Sequence, residues 1–219
     1  MKKKKKWIGL KKDVREGAMT PGKACMDKRK KKIRVTYEVK GIWEGKIPYD
    51  GTDYDTIDVP DAGRMTEIGA PMIPQEGLFV AIPMNAHLKG VEVKSKKEKE
   101  LKGKFHLLPA PVPTPDGEED RYIPDPDIYE SDELFPGRYV DIRGEDVIED
   151  TKVVHLMVFL CQYWPKSRKV NMLESIDLEV SYTVTKEKLR KRARVTEDVK
   201  DLVLNWENVG PVKDGGLDE

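Results

Sequence analysis

Residues 153–184 have the sequence VVHLMVFLCQYWPKSRKVNMLESIDLEVSYTV. The first eight residues contain only one polar side chain, His155, which is typical of a strand that is covered on both faces. Residues 176–184 alternate apolar and polar side chains, which is typical of a strand with one face in water. Pro165 and the basic residues around it indicate a turn between these segments. We therefore predict an all-β chain, an antiparallel β-sandwich built around this pair of strands.

Other segments with a period of two surround this pair. Residues 33–39 and 88–93 alternate in the same way, and residues 78–82 have the character of a short buried strand. The charged run at residues 94–104 is expected to be a connection or a hairpin tip. Ten apolar or aromatic side chains form the expected core: Val35, Tyr37, Val80, Ile82, Leu156, Val158, Leu160, Ile176, Leu178 and Val180.

Residues 109–139 contain seven prolines and show no periodicity. Because aromatic and aliphatic side chains recur among the prolines, we expect a long Pro-rich strap that packs across the sandwich. Thr196 is a candidate N-cap of a short C-terminal helix near residues 196–205. The expected organisation is a basic, disordered tail (residues 1–32), a β-sandwich domain (33–185), and a basic connector with a short helix and tail (186–219).

The charges are segregated along the chain. The 40 basic and 40 acidic residues cancel, but residues 1–34 carry 15 basic and 3 acidic side chains, whereas residues 109–150 carry 3 basic and 14 acidic ones. The high charge and the scarcity of Asn and Gln resemble the composition of thermophile proteins. The lysines of residues 2–6 and 28–32 raise the possibility of nucleic-acid binding, but no aromatic residues or nucleic-acid module accompany them. We expect a solvated tail and no nucleic-acid partner.

No run of about 18 apolar residues is present, so no membrane span is expected. Residues 2–6 would suit the start of a signal peptide, but the charged sequence WIGLKKDVREG follows them, so no signal peptide is expected.

The sequence does not indicate a catalytic centre. His87, His106 and His155 are dispersed, and Cys25 and Cys161 lack the spacing of a metal or redox motif. As a nucleophile Cys161 would need a base and an oxyanion hole, and a buried structural cysteine is the favoured interpretation.

The acidic residues 116–120, with Asp125, Asp127 and Asp132, offer oxygen ligands to calcium, but they lack the spacing of an EF-hand loop. A solvated acidic loop is favoured. We expect no metal, no cofactor and no enzymatic activity.

Four groups of residues carry a resemblance to a known family. They are Gly69-Ala70-Pro71, residues 107–113, residues 129–137, and Gln162-Tyr163 with Pro165. Their order and spacing over residues 35–184 resemble the propeptide of gingipain-type cysteine peptidases. Each motif is weak alone, because it consists mostly of Pro, Gly and Tyr, and the combination is specific.

The resemblance implies a β-sandwich propeptide that precedes a caspase-like catalytic domain, helps it to fold and keeps it latent as a zymogen. It implies a caspase-like cysteine peptidase as partner, in cis or in trans, and a secreted or cell-surface location. The catalytic His and Cys would belong to that other domain, so neither His155 nor Cys161 is expected to match them. The alternative is a structural or adhesive β-sandwich interaction module that has lost the peptidase.

The same resemblance directs attention to three basic residues and one junction. An inhibitory loop facing a peptidase that cleaves after Arg or Lys should present a cation, and Lys102, Lys104 and Arg121 are the candidates. A local salt bridge to neighbouring carboxylates is the favoured alternative for Arg121. A processing junction is a hypothesis for Arg190, Arg192 and Arg194, for which a solvated charged connector is the favoured interpretation.

Overall fold

The computed structural model describes residues 5–19, 22–186 and 196–209, and most of them lie in antiparallel strands. In chain order the strands are β1 (Lys6–Gly9), β2 (Lys23–Asp27), β3 (Lys32–Glu38), β4 (Gly41–Tyr49), β5 (Thr52–Asp58), β6 (Gly63–Arg64), β7 (Pro74–Ala81), β8 (Ala86–Glu100), β9 (Val140–Ile148), β10 (Thr151–Phe159), β11 (Cys161–Trp164) and β12 (Lys169–Val184). The helices are α1 (Pro126–Tyr129), α2 (Glu197–Leu202) and a 3-10 helix (Trp206–Val209). The predicted all-β fold is confirmed.

Strand β12 is the centre of the largest sheet. Along one edge it pairs with β3, from Ser175↔Glu38 to Ser181↔Lys32, and near its start with β11. Along the other edge it pairs with β8 over almost its whole length. Strand β2 continues the sheet beyond β3. Since both edges of β12 are occupied, its backbone groups are satisfied by neighbouring strands on either side.

Strand β10 lies in a second sheet, with the order β6-β7-β10-β9. The two segments from which the fold was predicted therefore belong to different sheets, joined by the short strand β11. Apolar side chains from both sheets, such as Leu156 and Leu178, meet in one core. All ten predicted core residues are buried.

A third sheet, β1-β4-β5, was not predicted. Strands β4 and β5 form a hairpin at Asp50-Gly51, where both residues have positive φ angles of 46° and 73°. An Asp-Gly pair in this conformation is the turn that two-residue hairpins prefer. The turn signal was present in the sequence, within a polar passage that was assigned no strand.

The prediction of a disordered tail at residues 1–32 is wrong for the part that the structure describes. Strand β2 pairs with β3, and Met26 packs against the core. Strand β1 pairs with β4, where the rings of Trp7 and Trp43 meet edge to face at 5.2 Å. Leu10 is also buried. Scattered apolar side chains between the lysines are sufficient to attach this segment.

The prediction of a connection or hairpin tip at residues 94–104 is also wrong over its first half. Strand β8 continues to Glu100, because its backbone pairs with β12 throughout. Cross-strand polar contacts accompany the pairing: Lys97 lies 2.7 Å from Glu174, and the Ser95 hydroxyl donates to Asp177 at 2.6 Å.

The predicted C-terminal helix is confirmed as α2. Thr196 is its N-cap, with a side chain that accepts from the amide of Val199. The segment docks on β7 through buried Val199 and Val203, and through Asn205, whose side-chain amide exchanges two hydrogen bonds with the backbone of Ala81 (2.8 and 2.9 Å). This segment is therefore attached to the sandwich through its own small core.

We expect Leu178→Ala to lower the free energy of unfolding by about 2–5 kcal/mol, because Leu178 is fully buried on β12 and its truncation leaves a cavity. Val184→Ala on the same strand, where the side chain is 40% exposed, is the control and should cost much less. Chemical denaturation measures both changes. Equal losses in the two variants would contradict the central position of β12.

Candidate functional site

The Pro-rich strap is attached to the sandwich by backbone hydrogen bonds to residues 69–72. The amide of Gly69 donates to Ala110 (3.1 Å), the amide of Ala110 donates to Ala70 (2.8 Å), and the amide of Met72 donates to Leu108 (2.9 Å). Residues 108–110 therefore run beside this segment as an irregular two-stranded ribbon. Proline has no amide to donate, so the strap takes part in this ribbon mainly through its carbonyls, and Ala110 is its one donor among these three bonds.

Beyond this ribbon the strap forms an exposed loop that carries Arg121. The loop is closed at its base by a hydrogen bond from the amide of Val112 to the carbonyl of Arg121 (2.8 Å). The ring of Tyr122 packs edge to face on Tyr49 with centroids 5.0 Å apart. Residues 115–121 are all exposed. Arg121 thus lies at the fixed base of an exposed acidic loop.

The guanidinium of Arg121 does not lie within ion-pair distance of a carboxylate of another described residue. None of the ion pairs within the described ranges involves Arg121. Asp120 accepts from the hydroxyl of Tyr122 (3.2 Å), and Asp125 accepts from the amide of Asp127 (2.9 Å) as the N-cap of α1. The local salt bridge that the sequence favoured is not formed in this structure.

Two exposed apolar side chains lie near this loop. Ile68 is 53% exposed and Ile123 is 49% exposed. The backbone segments that carry them meet at Gly69, which follows Ile68. The carbonyl of Gly69 accepts a hydrogen bond from the amide of Asp125 (3.0 Å). A Cβ atom added at Gly69 would lie 3.1 Å from the carbonyl oxygen of Ile123. This contact could not be predicted from the sequence, because the two segments are far apart in the chain.

The rest of the strap is held against β11 and the ribbon. The amides and carbonyls of Phe135 and Tyr163 exchange two hydrogen bonds of 2.8 Å, and the Tyr129 hydroxyl donates to Leu107 (2.7 Å). The side chain of Gln162 donates to the carbonyl of Arg138 (2.7 Å). The sequence motifs that carry the family resemblance are thus the places where the strap is tied to the sandwich.

Lys102 and Lys104 lie on a second exposed loop, separate from that of Arg121. This loop follows β8 and is fixed by hydrogen bonds from Leu101 to Val170 (2.9 Å) and from Phe105 to Arg168 (2.8 Å). No hydrogen bond or ion pair between described residues joins the two loops. The three predicted peptidase-facing residues therefore form two sites.

A pocket of about 400 Å³ lies beside the second loop. Its lining residues are His106, Tyr129, Glu130, Pro165, Lys166 and Arg168. Burial lowers the pKa of His106, and the nearby guanidinium of Arg168 lowers it further. The imidazole is therefore neutral at neutral pH, and it packs on the ring of Tyr54 at 4.6 Å. Lys166 and Arg168 were noted in the sequence only as turn residues.

The remaining His and Cys side chains do not form a catalytic arrangement. His155 stacks on Phe79 with centroids 4.4 Å apart, and burial lowers its pKa. Cys161 is completely buried as predicted, and burial raises the pKa of its thiol, whereas Cys25 is exposed. His87 lies 3.5 Å from Glu145 at the surface.

Within residues 5–19, 22–186 and 196–209, no three His, Cys, Asp or Glu side chains are grouped so that they could hold a metal. Of the acidic residues considered for calcium, Asp132 lies 3.4 Å from Lys166. The part of the chain that the structure describes has no helix with the length and apolar character needed to cross a bilayer.

Arg190, Arg192 and Arg194, the predicted junction, lie outside the described residues. The residues on either side of this segment are anchored. The amide of Thr185 donates to Asn85 (2.7 Å), and the hydroxyl of Thr196 donates to Glu149 (2.9 Å).

Comparisons with known proteins agree with this architecture. The family model Propeptide_C25 matches residues 21–212. A chain in the structure of the complex of Porphyromonas gingivalis RgpB pro- and mature domains superposes with a TM-score of 0.68 and 18% identity, covering 85% of this chain and 97% of that one.

A chain in a structure of gingipain K from Porphyromonas gingivalis, determined to explain its zymogenic latency, superposes with a TM-score of 0.66 and 18% identity, covering 83% of this chain and 100% of that one. No curated protein sequence matches the chain.

We expect Gly69→Ala to destabilise the strap by about 1–3 kcal/mol. Gly69 has a φ angle of +78°, and an added Cβ would lie 3.1 Å from the carbonyl of Ile123. Gly117→Ala is the matched control, because Gly117 also has a positive φ angle (92°) but nothing lies within 4 Å of its Cβ position. Unfolding free energies and hydrogen exchange of the Asp125 amide measure the difference. A larger loss in the Gly117 variant would contradict the close approach.

Proposed function

The chain belongs to the Propeptide_C25 family, and on this basis we propose that it is a non-catalytic pro-domain that binds a caspase-like cysteine peptidase, in cis or in trans, and keeps it latent. Membership rests on a match over residues 21–212, and the fold is that of chains in two gingipain structures. The observation that carries the proposal is Arg121, which is exposed, forms no ion pair with another described residue and lies on a loop that is fixed at its base.

The cysteines support a non-catalytic role. A nucleophilic cysteine needs an accessible thiolate, which a neighbouring base or positive charge stabilises. Cys161 is completely buried, and its raised thiol pKa disfavours the thiolate. The only other cysteine, Cys25, lies on β2 at the surface. Catalysis is therefore assigned to the partner.

Inhibition would take place by covering the substrate cleft. A peptidase that cleaves after arginine needs an acidic specificity pocket, and a guanidinium pairs with a carboxylate through two parallel hydrogen bonds. Arg121 has no partner to give up among the described residues, so binding would not first have to break a local salt bridge. Ile68 and Ile123 would pack on the rim of the cleft and exclude water from the ion pair.

The fixed base of the loop also favours tight binding. Val112 binds the carbonyl of Arg121 and the ring of Tyr122 packs on Tyr49, so the backbone at Arg121 and after it loses little freedom when the loop docks. Lys102 and Lys104 have no comparable exposed apolar neighbours in the chain, since the flanking Leu101 and Phe105 are buried. We therefore assign the pocket-facing role to Arg121.

We expect Arg121→Ala to weaken inhibition of a gingipain-type peptidase that cleaves after arginine by about 2 kcal/mol or more, because the carboxylate in its pocket would lose its cation. Inhibition constants measured with an arginine substrate give the change. Arg143→Ala is the control, because Arg143 is also exposed and also has no ion pair with another described residue.

The double variant Lys102→Ala/Lys104→Ala separates the two loops. Loss of inhibition in this variant alone would transfer the pocket-facing role to the second loop. Unchanged inhibition in both variants would remove the cation from the mechanism and leave steric covering. A wild-type chain that does not bind the peptidase would overturn the proposed function.

We also propose Arg190, Arg192 and Arg194 as the processing junction. Brief trypsin treatment of the native protein should cut there first. The two fragments should then co-elute in gel filtration, because the C-terminal segment remains docked through Val203 and Asn205. Mass spectrometry identifies the cut. Resistance of this segment, while other sites are cleaved, would contradict an accessible junction.

A further inference from the structure

Two exposed loops lie side by side at the start of the central strand β12. One is the loop of residues 101–105 after β8, and the other is the turn of residues 165–168 between β11 and β12. The hydrogen bonds from Leu101 to Val170 and from Phe105 to Arg168 hold the first loop against the second. The Tyr163 hydroxyl donates to the carbonyl of Phe105 (2.9 Å) from beneath. Their relative position is therefore fixed by the backbone.

These loops concentrate positive charge. Five exposed cations, which we call the cationic surface, lie on them or at their border: Lys102, Lys104, Lys166, Arg168 and Lys169. Within the described ranges only Lys166 has an ion pair, with Asp132 at 3.4 Å, and both side chains are largely exposed. An exposed pair of this kind contributes little. With Asp132 as the only ion-pair partner among the described residues, the cationic surface keeps a net positive charge.

The cationic surface borders a concave feature. The pocket of about 400 Å³ has Lys166 and Arg168 in its wall, together with Glu130, Pro165 and the rings of His106 and Tyr129. Burial and Arg168 keep His106 neutral near pH 7, so the wall carries two cations against the single carboxylate of Glu130. A carboxylate side chain with a short apolar stem would fit such a wall, because the cations would pair with the carboxylate and the rings would contact the stem.

We propose that the cationic surface docks on an acidic surface of the partner peptidase and accelerates the encounter, whereas Arg121 determines how long the complex lasts. This inference rests on the proposed function. A peptidase pocket that accepts an arginine must carry negative potential, and cations elsewhere on the same sandwich are attracted to the same long-range field. Lys102 and Lys104 would thus contribute to association without entering the pocket.

Such a role makes a specific kinetic prediction. Charges at the rim of an interface change the association rate and its salt dependence, whereas a buried ion pair changes the dissociation rate. Two charge reversals test the cationic surface: Lys102→Glu/Lys104→Glu and Lys166→Glu/Arg168→Glu. The control, Lys28→Glu/Lys89→Glu, reverses two exposed lysines elsewhere on the chain, neither in an ion pair with a described residue.

The experiment measures association and dissociation rates by surface plasmon resonance, with an inactivated mature domain of a gingipain-type peptidase, at low and at physiological ionic strength. Each reversal of the cationic surface should lower the association rate at low salt by about tenfold or more and flatten its salt dependence. The dissociation rate should change by less than about twofold, and the control should match the wild type. Circular dichroism confirms that all variants are folded.

Several results would overturn the inference. An equal decrease of the association rate in the control would show an effect of net charge alone. A faster dissociation of the Lys102→Glu/Lys104→Glu variant would place those lysines inside the pocket. Sedimentation that shows self-association of the free chain, lost in the same variants, would assign the cationic surface to a second copy. Unchanged association rates would remove the docking role but leave the proposed function in place, whereas absence of wild-type binding would overturn the proposed function itself.

Discussion

The backbone pairing of β12 along both of its edges is the constraint on which the rest of the molecule depends. Its 16 residues bring β8 to one side and β3 with β11 to the other, so segments distant in the chain become neighbours. The end of β8 and the turn between β11 and β12 lie at the same end of β12, so the two loops of the cationic surface are neighbours. The strap is tied to β11 at Tyr163, so its path also depends on this strand.

The strap shows how a proline-rich segment becomes ordered without regular structure. Seven prolines remove donors, and the remaining amides bond to residues 69–72 and to Tyr163. Gly69 is needed where the chain turns with a positive φ angle and another backbone passes closely. The motifs shared with the family thus have a physical reason: they tie down the segment that carries Arg121. A loop fixed in this way binds without a large loss of conformational entropy.

The core and the ends of the sandwich differ in how far they can be predicted from sequence. Period-two patterns identified the buried face of β12, and Thr196 identified the start of α2, because both signals are local. The last half of β8 consists of Lys, Glu and one Ser with no apolar face, so its strand character depends on β12 and is not visible in its own sequence. Strand β2 was hidden by the run of lysines that follows it. Two further features depend on contacts between residues that are distant in the chain. One is the proximity of the segments of Ile68 and Ile123, and the other is that of the loops of Lys102 and Arg168.

On the function proposed above, the placement of charge on this chain would separate two tasks that one basic loop would otherwise perform together. A cation that enters a specificity pocket loses its hydration, and the free-energy cost of this desolvation is offset only if its carboxylate partner is well aligned. A single, rigidly held arginine suits this task. Cations that attract a partner from a distance act best when they remain hydrated and numerous, because long-range attraction depends on net charge and not on alignment. Arg121, which forms no ion pair with another described residue, suits the first task, and the five cations at the start of β12 suit the second. Because both loops are fixed to the same sandwich, the attraction of one can orient the other.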